Sequence, residues 1–119
     1  MPLALLIAAG FLASVTAPPV DTVKVGEMKL CKPNVTSASI GSDQYTGKPV
    51  AIITLNDKEK VALGDLTRRD KGKQLPITLN GDVIASPRIE EAIYGGVFTI
   101  SGPDKIVLER VVSAALSVC

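Results

Sequence analysis

The segment Leu75-Pro76-Ile77-Thr78-Leu79-Asn80-Gly81-Asp82-Val83-Ile84-Ala85-Ser86 constrains this chain more than any other part of it. Two short runs rich in aliphatic and β-branched residues flank an Asn-Gly pair. That pair takes positive φ at both central positions of a type I′ turn at little steric cost, and so closes a tight hairpin. Pro87 stops the second strand, and Pro76, which has no N–H, needs a place where no ladder bond is required of it. At least one of these strands is therefore expected at a sheet edge. A lone hairpin is marginal in water, so the rest of the chain must supply further strands and a layer to cover them.

The flanking sequence offers both. Val50-Ala51-Ile52-Ile53-Thr54-Leu55, bounded by Pro49 and Asn56-Asp57, reads as a central strand with both faces largely covered. Val97-Phe98-Thr99-Ile100-Ser101 alternates between Gly95-Gly96 and Gly102-Pro103 and reads as a further strand. Val20 to Val25 also alternates, continuing through Met28-Lys29-Leu30 as strand or extended arm. Asp57 is placed to cap a helix from Lys58 that carries Val61, Ala62 and Leu66 near one face and ends before Gly72. A second helix over Asp104 to Val118 lines up Val107, Val111, Ala114, Ala115 and Val118, with Ile106, Leu108, Val112 and Leu116 adding apolar surface on its other sides. The order implies an α+β fold: a small mixed or antiparallel sheet of four to five strands with two helices on one face. With 119 residues there is room for one such domain, and with 3% aromatic residues its core must be aliphatic.

Residues 1–17 carry no charge and hold the apolar run Leu3 to Val15, long enough for a signal-peptide core and shorter than the ~20 residues of a bilayer span. They are expected to be a signal peptide or short anchor, followed by an extended arm over 18–29 and the folded domain over 30–119. No Lys or Arg precedes the apolar run and Pro18 follows the small residues near its end, so both forms of the leader stay open. An exported location permits a disulfide, and the chain's two cysteines, Cys31 and Cys119, allow one intramolecular pairing; two free thiols are the alternative.

Much chemistry is excluded by composition. A chain without histidine cannot build a Ser-His-Asp or Cys-His arrangement, and two cysteines alone do not complete an ordinary zinc site, so no catalytic, metal or cofactor residues are expected. Glu90 and Glu91 are adjacent and point to opposite faces of an extended chain, poor geometry for shared acid–base work. The net charge of +1 and the shortage of aromatic rings argue against nucleic acid.

Taken together, Leu66-Thr67, Gly72-Lys73-Gln74-Leu75-Pro76-Ile77, Leu79 through Pro87, Ile89, Ile93, Gly95-Gly96 and Ile100-Ser101-Gly102 resemble, in order and in residue type, the first periplasmic head subdomain of the SecD protein-export family. The likeness covers roughly residues 30 to 117. The resemblance implies a non-enzymatic periplasmic domain that contacts emerging unfolded chains or the export machinery. Asn80, Gly81, Gly95, Gly96 and Gly102 are its motif turn positions, and no reactive group belongs to the motif. The sheet edge near Ile84, Ser86, Pro87 and Ile89 is expected to pair with extended polypeptide by strand addition. An alternative is a structural or regulatory protein that docks on a membrane-protein partner, or on itself, through the apolar last helix. Membrane contact is expected only through residues 1–17, if these are retained as an inner-membrane anchor.

Overall fold

The computed structural model describes residues 21–119, so the leader expected at 1–17 lies outside the described residues. Seven strands and two helices follow in the order β1 (Val23–Val25), β2 (Met28–Lys29), β3 (Val35–Ser42), β4 (Pro49–Leu55), α1 (Asp57–Arg69), β5 (Ile77–Leu79), β6 (Asp82–Ala85), β7 (Val97–Ser101) and α2 (Lys105–Ala115). The fold is α+β. Its strands are distributed over two antiparallel sheets rather than one, a four-stranded sheet ordered β2-β1-β5-β6 and a three-stranded sheet ordered β3-β4-β7.

The hairpin forms where the Asn-Gly pair requires it. Asn80 and Gly81 take φ of 52° and 90°, and β5 pairs with β6 across them. What separates this hairpin from β4 and β7 is the pairing of β5 with β1, which sets Val23 opposite Leu79 and Val25 opposite Ile77. The stretch read as an extended arm thus enters the sheet over its described part, with Val23 and Val25 buried. β4 is the central strand of its own sheet. Ala51, Ile53 and Leu55 face the core, whereas Ile52 and Thr54 on the other face are only half-buried, so one face of the strand is better covered than the other.

α2 packs on β3 and β4 and reaches β1, burying Leu108, Val111, Ala114 and Ala115. It begins one residue later than Asp104, which acts as its N-cap by accepting a hydrogen bond from the Val107 N–H at 2.9 Å. Ile106, Leu116 and Val118 remain exposed, while Val107 and Val112 are half-buried. In α1 the cap is Asn56, one residue before the expected Asp57, and its side chain accepts from the Glu59 N–H at 2.8 Å. The buried face of α1 also differs from the expected one. Leu63, Gly64 and Thr67 face inward, Leu66 is half-buried, and Val61 and Ala62 face out. The reason is the chain that crosses this helix.

Candidate polypeptide-contacting cleft

β7 is an edge strand, and its free side looks across a cleft at the chain that follows β6. One part of this cleft, about 480 Å³, lies between Ala85, Ser86 and Pro87 on one wall and Thr99, Ile100 and Ser101 on the other, with Ile77 contributing from β5. The adjoining part, about 350 Å³, runs from Pro87 to Ile93 against Val97, Phe98 and Thr99, with Val25, Leu63, Leu75 and Ile77 contributing apolar lining. These volumes fall in the range of small-ligand sites, and the floor is aliphatic.

Of the four residues expected at a contact edge, Ser86, Pro87 and Ile89 line this cleft. Ser86 is half-buried, Pro87 exposed and Ile89 buried at 6% exposure. Ile84 sits half-buried on β6, where its carbonyl oxygen approaches Gly102 so closely that a Cβ there would lie 3.2 Å away. That approach brings β6 against the end of β7.

The wall from Pro87 to Gly96 is a strap laid over α1. One end is tied to the chain before β5: Leu75 N–H donates to Pro87 O, Ile89 N–H to Lys73 O and Gly72 N–H to Ile89 O, each at 2.8 Å. The other end is held by Thr67, which is fully buried. Its hydroxyl donates back to the Leu63 carbonyl at 2.7 Å and accepts from the Ile93 N–H at 2.8 Å, so one side chain satisfies a strap amide that secondary structure does not. The strap comes close enough that a Cβ on Gly64 would stand 2.9 Å from Tyr94 Cδ1, and Gly96, with φ of 73°, lies against the Lys60 stem. Gly95 has open space around it, so only the second glycine of the pair is demanded by this geometry. Sequence reasoning passed over Thr67. Its signal was the Leu66-Thr67 pair, a polar residue one turn on from Leu63 on a helix.

A second closure joins β1, the β2–β3 connection and the C-terminal residues. A disulfide links Cys31 to Cys119, with Cα atoms 5.1 Å apart. Lys32 N–H donates to Ser117 O at 2.8 Å and Cys119 N–H to Lys32 O at 2.9 Å, a short parallel bridge beside that bond. Nearby, Arg110 on α2 donates from Nε and Nη2 to the two oxygens of Asp21 at 3.0 and 2.9 Å, and Asn80 of the hairpin turn donates to the same carboxylate at 2.9 Å. The Arg110 hydrogen bonds, followed by that from Asn80, hold the Asp21 carboxyl at a pKa of about 2. Among the described residues no group of His, Cys, Asp or Glu is arranged to hold a metal ion, and no helix is long and apolar enough to cross a membrane.

The family model of the SecDF P1 head subdomain matches residues 19–114. The chain is 40% identical over 68 residues to the protein translocase subunit SecD of Sebaldella termitidis, covering 57% of this chain and 16% of that protein. It is 34% identical over 77 residues to the SecD of Acidaminococcus fermentans, covering 65% and 18% respectively. A solved structure of SecDF, described as a membrane component that enhances protein export, superposes with a TM-score of 0.65 at 28% identity, covering 71% of this chain and 39% of that one. The chain belongs to the SecDF P1 head subdomain family. The chain spans less than a fifth of the length of either SecD relative.

Proposed function

We propose that this protein is a non-enzymatic, exported domain that holds extended polypeptide in the cleft between β7 and the strap, on the periplasmic side, as an accessory to protein export. The observation that carries the reading is the cleft itself. Buried Val25, Leu63, Leu75 and Ile77 form an aliphatic floor beneath a free strand edge, and the exposed Arg88, Glu90 and Glu91 stand at the rim. Such a surface suits a chain that is unfolded and indifferent in detailed sequence, because apolar contact and backbone pairing are available in any polypeptide. Family membership supports the same direction, since the relatives are protein translocase subunits. Residues 1–17 would deliver the domain across the membrane or tether it there.

The test is binding of the purified protein to a labelled, permanently unfolded polypeptide, followed by fluorescence anisotropy at low and high salt. Saturable binding that persists in high salt is expected, because the contacts are apolar and backbone in kind. Pro87→Glu places a charge on the cleft wall at an exposed position and is expected to weaken binding without altering the unfolding transition. Binding that ignores Pro87→Glu, or none at all, overturns the assignment to this cleft.

A further inference from the structure

The hydrogen-bond pattern of β7 specifies more than an apolar slot. In an antiparallel pair, residues opposite one another alternate between exchanging both backbone bonds and exchanging none. Leu55 N–H donates to Gly96 O at 2.8 Å, and the register continues Thr54 with Val97, Ile53 with Phe98, Ile52 with Thr99, Ala51 with Ile100 and Val50 with Ser101. Phe98 and Ile100 therefore direct their N–H and C=O groups at β4. Val97, Thr99 and Ser101 direct theirs away from it, into the cleft. No turn, loop or cross-sheet backbone bond among the described residues reaches these three.

An edge of this kind is normally blunted. Proteins break free edges with charges, proline, bulges or extreme shortness to prevent unwanted pairing. The other edges here show such devices: β2 is two residues long, β6 starts with Asp82 and has an irregular register against β5, and β3 has a register break between Val35 and Ser37. β7 reads Val-Phe-Thr-Ile-Ser, pairs with β4 in unbroken register, and has neither charge nor proline. Across the cleft from it stand the strap and, opposite Thr99 to Ser101, the end of β6 with Ser86, which closes in at Gly102.

We infer that an extended polypeptide segment adds to this domain as a fourth strand on the β3-β4-β7 sheet, bonding to the backbone of Val97, Thr99 and Ser101. This rests on the reading of the cleft as a polypeptide site and names what the site recognises. The ligand is about five residues of β-strand whose alternate side chains are apolar. In a strand, successive side chains point to opposite faces, so every second one lies on the same side as Phe98 and Ile100 and meets Ile77, Leu63 and Val25 beneath the cleft. The intervening ones share the outer face with Val97, Thr99 and Ser101 and are free to be polar. A proline within the segment, or an apolar cluster without this alternation, is a poor ligand.

The experiment uses the whole chain and a labelled short peptide alternating valine with serine, in three forms: unmodified, and N-methylated on each of its two alternate sets of amides. N-methylation removes a donor without changing the side chains. One methylated form should lose affinity on the order of tenfold or more, as two or three hydrogen bonds go, and the other should bind as the unmodified peptide does. On the protein, amide hydrogen exchange at Val97, Thr99 and Ser101 should slow when the unmodified peptide binds, with Phe98 and Ile100 unchanged. Binding that tolerates both methylated forms, or protection at Ala38 and Ile40 on the outer edge of β3, overturns strand addition at β7. Retained binding to both methylated forms leaves the cleft as an apolar site. Failure of the unmodified peptide to bind overturns the inference and the polypeptide reading together.

Discussion

The fold is closed at two places by different chemistry. At the clasp, the Cys31–Cys119 bond, the Lys32 bridge and the Asp21–Arg110–Asn80 cluster tie chain segments far apart in sequence with one covalent bond and charged groups near the surface. At the strap, the tie is mostly neutral: the buried Thr67 hydroxyl, three backbone bonds around Ile89, and two glycines that let chain lie on chain, with one exposed ion pair, Lys71–Glu91, beside them. The clasp gains mainly by limiting what the unfolded chain can do, whereas the strap gains by local fit and fixes the width of the cleft beside it. Damage to the clasp should therefore lower global stability and spare the cleft. Damage to the strap should cost less in global stability and loosen the cleft.

Reduction of the disulfide, or Cys31→Ser, is the largest test of that contrast. With a sequence separation of 88 between the cysteines, the chain-entropy estimate gives a loss of about 4.6 kcal/mol. Urea unfolding under oxidising and reducing conditions measures it. Amide exchange at Ile93 in the reduced but still folded protein should stay as slow as in the oxidised form. If Ile93 loosens together with the clasp, the two closures are one cooperative unit and the contrast fails.

Thr67→Val comes next. It keeps the shape of the side chain while removing the acceptor for the Ile93 N–H, and leaving such a group unsatisfied costs about 1–3 kcal/mol. The reading predicts faster exchange at Ile93, weaker polypeptide binding, and restoration of both by Thr67→Ser. An equally destabilised variant that binds normally would show that Thr67 supports α1 alone. Gly96→Ala should follow at roughly 1–2 kcal/mol, since alanine is strained at φ of 73° and its Cβ would meet the Lys60 stem. Gly95→Ala, with open space around it, should be close to neutral, and a thermal melt of the two variants side by side separates them.

The same contrast shows what could be read from the sequence. The Asn80-Gly81 turn was legible because its φ values are a local demand that few residue pairs meet. β4, β7 and the two helices were legible from period and punctuation. The face of α1 was not: Val61, Ala62 and Leu66 look like an apolar stripe, but the buried face is set by a strap arriving from residues 93–96, which selects a glycine and a hydroxyl. The division into two sheets was hidden for a related reason. It depends on β1 pairing with β5, and nothing local in Val23–Val25 names that partner. Within the cleft, the Ser86–Ile89 wall was expected as an edge, but the strand that presents free backbone groups to it is β7. Pairing parity, which no residue type encodes, decides that.

The smallest effect concerns the charged part of the clasp and is set apart by pH. The Asp21 carboxyl sits at about 2 in the folded protein against 3.8 for the ordinary side chain, because Arg110 and then Asn80 donate to its ionised form. The unfolded chain thus takes up this proton more readily than the folded one. The contribution is complete above about pH 4 and is lost as the pH falls from there towards 2. Asp21 is accessible to solvent, so the effect should be modest and should shrink further in added salt. Asp21→Asn is expected to flatten the stability profile across that window while leaving stability above it only slightly lower. Its exchange rates at Ile93 and its polypeptide binding should match the parent at every pH where both are folded. A profile that keeps its slope in Asp21→Asn would assign the acid sensitivity to other carboxylates and leave the disulfide and the Lys32 bridge as the working parts of the clasp.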